Sequence, residues 1–285
     1  MQRKVLCWSA AIIVAATTLA IWGWRARHVE IGSAVVNGHR IEYARHGSGS
    51  PALVVIAGGF GGGDSKIPDM GSLLTQFKTT AFYYDRPGTG NSEPARDGRT
   101  PSEIIDELHT LLKAVGIPPP YILFGRSGGA LYSRAYAIRY PNETAGLVLS
   151  DGSHERQWLE FRRIDAKDNP EPPPDDPHRK MPEFSGLSQV FLSGKLGITG
   201  SLPDVPMVVI TSLRHGPNLT AASPEGEAIW RRLHDEIFES TTHGMHIVTN
   251  ESGHSIKATE PDLETNAITW VLQVARADEK RARNK

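Results

Sequence analysis

The sequence predicts an α/β protein with a mostly parallel sheet flanked by helices, a small lid insertion over one edge, and a transmembrane helix in front. Three observations predict this. From residue 52 onward, short apolar runs bounded by turn residues alternate with segments of helical period, the pattern of parallel strands covered on both faces. Between Gly152 and Pro203 that rhythm breaks into a proline-rich stretch, which cannot continue a sheet because proline removes ladder donors. Ahead of everything, Arg3 and Lys4 precede an uncharged, largely apolar run from Val5 to Trp24, the length a helix needs to cross a bilayer.

The composition narrows the function. With 285 residues, of which 39% are hydrophobic and 22% charged, the chain has ample core-forming material for one large α/β domain or two small ones. A formal net charge of -1 gives no reason to expect a nucleic-acid partner. Cys7 is the only cysteine, so the chain cannot form an intrachain disulfide or a multi-cysteine metal or redox site. No metal and no cofactor are expected. The expected division is an N-terminal anchor or signal sequence over 1–28, an α/β domain over 29–276 with its lid at about 152–203, and a polar, frayed tail over 277–285.

The elements follow in order. Trp8, Trp22 and Trp24 near the ends of the N-terminal run, with Arg25 and Arg27 closing it, favour a single-pass anchor over a cleaved signal peptide. The domain is then expected outside the cytoplasm, held to the membrane by that helix, or secreted or periplasmic if the segment is cleaved. Residues 29–45 alternate around Asn37-Gly38, a hairpin turn pair. Ala52 to Ala57 reads as a buried strand and runs into Gly58-Gly59-Phe60-Gly61-Gly62-Gly63, which lacks the Gly-Lys-Ser/Thr of a phosphate-binding loop. Thr80 to Tyr84 is the next strand, ending in the turn-rich Asp85-Arg86-Pro87-Gly88-Thr89-Gly90-Asn91-Ser92. Thr100-Pro101-Ser102-Glu103 carries an N-cap, a first-turn proline and a capping-box glutamate, and the helix it starts stops at Gly116. Later strands are expected at Gly146 to Ser150, Pro206 to Thr211 and His246 to Thr249. Helices are expected around Ile229, Trp230, Leu233 and Ile237, and again from Leu263 to Leu272.

The chemistry centres on Tyr121 to Ala130. An apolar run meets Gly125-Arg126-Ser127-Gly128-Gly129, and a helix-compatible segment follows up to Pro141. Strand, sharp turn and helix with serine at the apex present that serine above the sheet as a nucleophile. In a parallel sheet, sites form at the carboxyl ends of strands, and Gly58 to Gly63, Ser127, Asp151 and His254 all follow predicted strands. Acyl transfer requires a serine, a histidine base, a carboxylate to orient it and backbone donors for the oxyanion.

On these residues the chain resembles the α/β-hydrolase family over roughly Val29 to Val274. The carriers are Gly58-Gly59-Phe60, Asp85 to Ser92, the glycine-flanked Ser127 and Gly253-His254. The resemblance implies Ser127 as nucleophile, His254 as general base, and the backbone N–H groups of Phe60 and Gly128 as the oxyanion hole. One departure stands out. The family's acid usually follows the strand after the lid, but Thr211 to Gly216 contains no carboxylate, and Asp151, one strand earlier, takes the role as in some members. Glu155 and Glu225 are the reserve acids, and His243 and His246 the rival histidines. The expected function is carboxylic-ester hydrolysis of a small-molecule acyl substrate. A proline-iminopeptidase-like peptidase and a non-catalytic ligand-binding protein are the alternatives.

Overall fold

The computed structural model describes residues 29–59, 67–167, 169, 171, 183–216 and 220–284. Among these residues eight strands form one sheet in the order β1-β2-β4-β3-β5-β6-β7-β8. β1 (Glu30–Val36) and β2 (His39–His46) form the expected hairpin, with Asn37 and Gly38 both at positive φ. β2 lies antiparallel to β4 (Ala81–Tyr84). From there β3 (Ala52–Ile56), β5 (Tyr121–Arg126), β6 (Thr144–Ser150), β7 (Met207–Ser212) and β8 (Gly244–Thr249) all run parallel. The central strands are buried along their length, as their unbroken apolar runs require.

Among the described residues the helices are α1 (Ile67–Leu74), α2 (Pro101–Ala114), α3 (Gly128–Arg139), α4 (Gln157–Ile164), α5 (Phe184–Ser193), α6 (Pro224–Phe238), α7 (Ile256–Thr259) and α8 (Pro261–Arg283). One core forms where α2 and α3 cover the sheet, with Ile237 of α6 and Leu187 of α5 joining it. The opposite core packs α1 and α8 through Met70, Leu74, Ile268 and Val271. α2 starts as expected: the Thr100 side chain accepts from Glu103 N–H, and the Glu103 carboxylate returns to the Thr100 N–H. α1 has no counterpart in the sequence reading, because its eight residues are too few to establish a period.

Two expectations need correction. The fold class was to include an N-terminal transmembrane helix, but among the described residues no helix is long and apolar enough to cross a membrane. α8 has the length, 23 residues, but charges along it, including Asp262, Glu264, Arg281 and Arg283, exclude it. Residues 1–28, on which the expectation rested, lie outside the described residues. The fold is therefore a mostly parallel sheet between two helical layers, without that helix among the described residues. The tail is the second correction. α8 continues to Arg283, helped by ion pairs one turn apart between Arg281 and Asp278 and between Arg283 and Glu279. Arg276 ties the helix to the sheet end by donating to the carbonyls of Ser50 and Lys78.

The insertion contributes α4 and α5, while most of its proline-rich part lies outside the described residues. α5 is fixed at its N-terminus, since Glu183 is buried and Ser185 Oγ donates to Asp97.

Candidate active site

Three residues from three strand ends meet at the carboxyl edge of the sheet. Ser127 joins β5 to α3 with φ 49 and ψ -124, a conformation sparsely populated for a residue with a Cβ. The flanking glycines make the bend possible. A Cβ on Gly125 would lie 2.6 Å from the Gly129 carbonyl oxygen, and one on Gly129 would lie 2.1 Å from that of Ile56. The Ser127 N–H donates to Ser150 O at 3.1 Å, and its carbonyl accepts from Ala130 and Ser153. The over-determined backbone holds the side chain outward.

Ser127 Oγ lies 2.9 Å from His254 Nε2, and His254 Nδ1 lies 2.7 Å from Asp151 Oδ2. A carboxylate only accepts, so Nδ1 carries the proton and Nε2 offers its lone pair to the serine hydroxyl. The His254 side chain is 56% exposed and Asp151 is fully buried, so the imidazole is reachable from solvent while the carboxylate stays dry. Burial alone would raise the Asp151 carboxyl. Its bond and charge contact with His254 and the N–H of Ser212 outweigh that and hold it below its ordinary value.

The other candidates have different places. Glu155 is ion-paired with Arg134, and its carboxyl falls to about 2, because burial, which would raise it, is outweighed by the nearby arginine. Glu225 is exposed in the first turn of α6. His243 is exposed ahead of β8, and His246 is engaged by Thr211 Oγ1 at 2.7 Å and Asp235 at 2.6 Å. Gly128 opens α3, where the first amides have no intrahelical partner. Phe60, the other expected donor, lies outside the described residues. Among those described, no group of three or more His, Cys, Asp or Glu is placed to hold a metal ion.

The sequence reading missed the supports of this site. Arg126 Nε donates to Glu264 Oε1 at 2.8 Å, and Ser150 Oγ donates to the same oxygen at 2.6 Å. One buried carboxylate of α8 thus ties down the residues immediately before Ser127 and Asp151. Arg86 donates to the carbonyls of Ala57 at 2.7 Å and Gly59 at 3.1 Å, fixing the start of the glycine loop, and pairs with Glu183 from the insertion. Behind Asp151, His234 Nε2–H donates to Gly152 O at 2.7 Å, so its Nδ1 accepts from Thr211 Oγ1.

Two buried histidines set an acid limit on stability. Burial drives His234 down to about 4, and burial with the Arg134 charge drives His154 to about 3, both from 6.5. The unfolded chain therefore takes up their protons first, so their contribution is complete above about pH 6.5 and is lost as the pH falls toward 4 and then 3. Urea unfolding across this range should show stability declining on acidification below the ordinary imidazole value. A rise on acidification would contradict the buried, neutral state of both rings.

With fold and geometry in place, comparison with known proteins is direct. A family model described as alpha/beta hydrolase fold matches residues 51–230, and the chain belongs to that family. It is 28% identical over 238 residues to the uncharacterised protein YqjL of Bacillus subtilis, covering 79% of this chain and 86% of YqjL. A shorter match, 32% over 120 residues, is to RutD of Enterobacter cloacae, provisionally named a carbamate hydrolase; it covers 40% of this chain and 44% of RutD. The proline iminopeptidase of Mycobacterium smegmatis superposes with a TM-score of 0.58 at 16% identity, over 87% of this chain and all of that one, a likeness of fold.

Proposed function

We propose that the chain is a serine hydrolase that cleaves carboxylic esters of a small or medium-sized acyl compound through an acyl-enzyme. The observation that carries this reading is the hydrogen-bonded series from Ser127 Oγ through the His254 ring to Asp151 Oδ2. In the proposed reaction Ser127 Oγ attacks the acyl carbon as its proton passes to His254 Nε2. The carbonyl oxygen becomes an oxyanion facing the Gly128 N–H, with the Phe60 N–H as the second proposed donor. Collapse breaks the bond to the leaving alkoxide, which takes the proton from His254. Water then attacks the acyl-serine, gives a proton to His254, and Ser127 leaves with it. Asp151 stays ionised and stabilises the imidazolium in both halves.

Two described carboxylates of the insertion, Glu183 and Glu155, are committed to Arg86, Arg99 and Arg134 and so do not offer themselves to the free ammonium of an aminopeptidase substrate, which supports the ester reading. A panel of p-nitrophenyl acyl esters and aminoacyl p-nitroanilides, run on the full chain, tests the reading. Turnover of esters of short or medium acyl length is expected. Preference for prolyl anilides would move the function to the peptidase alternative, and inertness toward both series would favour a ligand-binding protein.

A further inference from the structure

We infer that Trp230 is a positioning residue for the acid of this site: its indole N–H holds one oxygen of Asp151 so that the other is aimed at His254. The inference rests on the serine-hydrolase reading and adds to it a residue on α6, 79 positions from its partner.

The Asp151 carboxylate has two oxygens with separate duties. Oδ2 faces His254 Nδ1, while Oδ1 accepts from Ser212 N–H at 2.9 Å and from Trp230 Nε1–H at 3.0 Å. A carboxylate turns freely about its Cβ–Cγ bond unless both ends are held, and two donors from independent elements, the end of β7 and the face of α6, fix its plane. Asp151 also stands at φ 41, an uncommon region that aspartate enters more readily than most residues. Its N–H is taken by Ile210 O, and the next carbonyl, that of Gly152, is held by His234, one turn after Trp230 on α6. One helix therefore grips the end of β6 at two successive residues.

The chemistry of the donor matters. Indole is donor-only and neutral, so it stabilises the anion without competing with His254 for it, whereas an arginine or lysine there would pair with Asp151 and weaken its hold on the imidazolium. The ring cannot turn away. It is buried, with Phe161 at 6.1 Å, His215 at 6.1 Å and His234 at 4.5 Å between ring centres. The end of β7, just ahead of the loop where the family usually places its acid, here supplies the Ser212 N–H to an acid that stands one strand earlier.

Trp230→Phe keeps a ring in the core and removes only the donor. With p-nitrophenyl butyrate as probe, kcat should fall about tenfold, the effect of losing one hydrogen bond to a charged group, with KM held within about twofold. In an Asp151→Asn background the same substitution should cost nothing further, because its effect passes through the carboxylate. The low-field proton resonance of His254 Nδ1–H should move in Trp230→Phe. If that variant does not fold, the Trp230 indole N–H resonance, compared between wild type and Asp151→Asn, should shift strongly. An unmoved resonance in either comparison, or an unchanged kcat, or additive losses in the double variant, overturns the inference. A wild type that turns over no ester and resists a fluorophosphonate counts instead against the hydrolase reading, and the resonances still decide whether Trp230 holds Asp151.

Discussion

Ser127→Ala is expected to lower ester turnover by about a millionfold and to abolish fluorophosphonate labelling, with little change in thermal unfolding. The size follows from the series in which the hydroxyl stands. Removing Oγ deletes the atom that would carry the acyl group and leaves His254 Nε2 with no proton to take, so the three groups fail together rather than in proportion. What survives is the contribution of substrate binding and oxyanion donors. Folding is spared because alanine carries the same Cβ, and the backbone bonds to Ser150, Ala130 and Ser153 need no side chain. Strong labelling of Ser127→Ala would place the nucleophile elsewhere, and a large loss of unfolding temperature would make the serine a structural residue.

Those parts of the site that are properties of the local chain were legible in the sequence. The bend at Ser127 requires small residues at fixed offsets, because backbone oxygens occupy the space of a Cβ at Gly125 and Gly129, and a requirement of that kind is written into neighbouring letters. The capping box at Thr100 and the Asn37-Gly38 turn are local in the same sense. The ends of strands were legible through apolar runs, which is how Asp151 and His254 could be named before their distances were known.

What was illegible depends on pairing across the fold. Trp230 falls on the apolar stripe of its helix, and the period that predicts its burial says nothing about where its N–H points. Glu264 is 138 residues from Arg126, and Glu183 is 97 from Arg86, so neither pair leaves a spacing to read. Both glutamates are buried charges, which sequence patterns assign to the surface, and each is tolerated only because an arginine faces it. The polar composition of the last residues pointed to a frayed end, while charge pairs one turn apart extend the helix through it.

Asp151→Asn should lower turnover by about ten-thousandfold while leaving the fold nearly as stable as before. The reason lies in which way the new amide must face. Two N–H groups, of Ser212 and Trp230, converge on the Oδ1 position, so asparagine must put its carbonyl oxygen there and its NH2 toward His254. A donor then meets Nδ1, which has to become the acceptor, and the ring proton moves to Nε2. In that tautomer His254 cannot take the Ser127 proton, and no carboxylate remains to stabilise an imidazolium. Stability holds because asparagine accepts the φ of 41 as readily as aspartate does, and the amide oxygen still satisfies both donors. A turn-stabilising carboxylate predicts the reverse, a modest change in turnover with a loss of ~1 kcal/mol in stability. Measuring kcat and thermal unfolding for Asp151→Asn beside Glu155→Gln and Glu225→Gln separates the two. Near-normal turnover in Asp151→Asn together with collapse in either of the other variants would assign the acid to that residue.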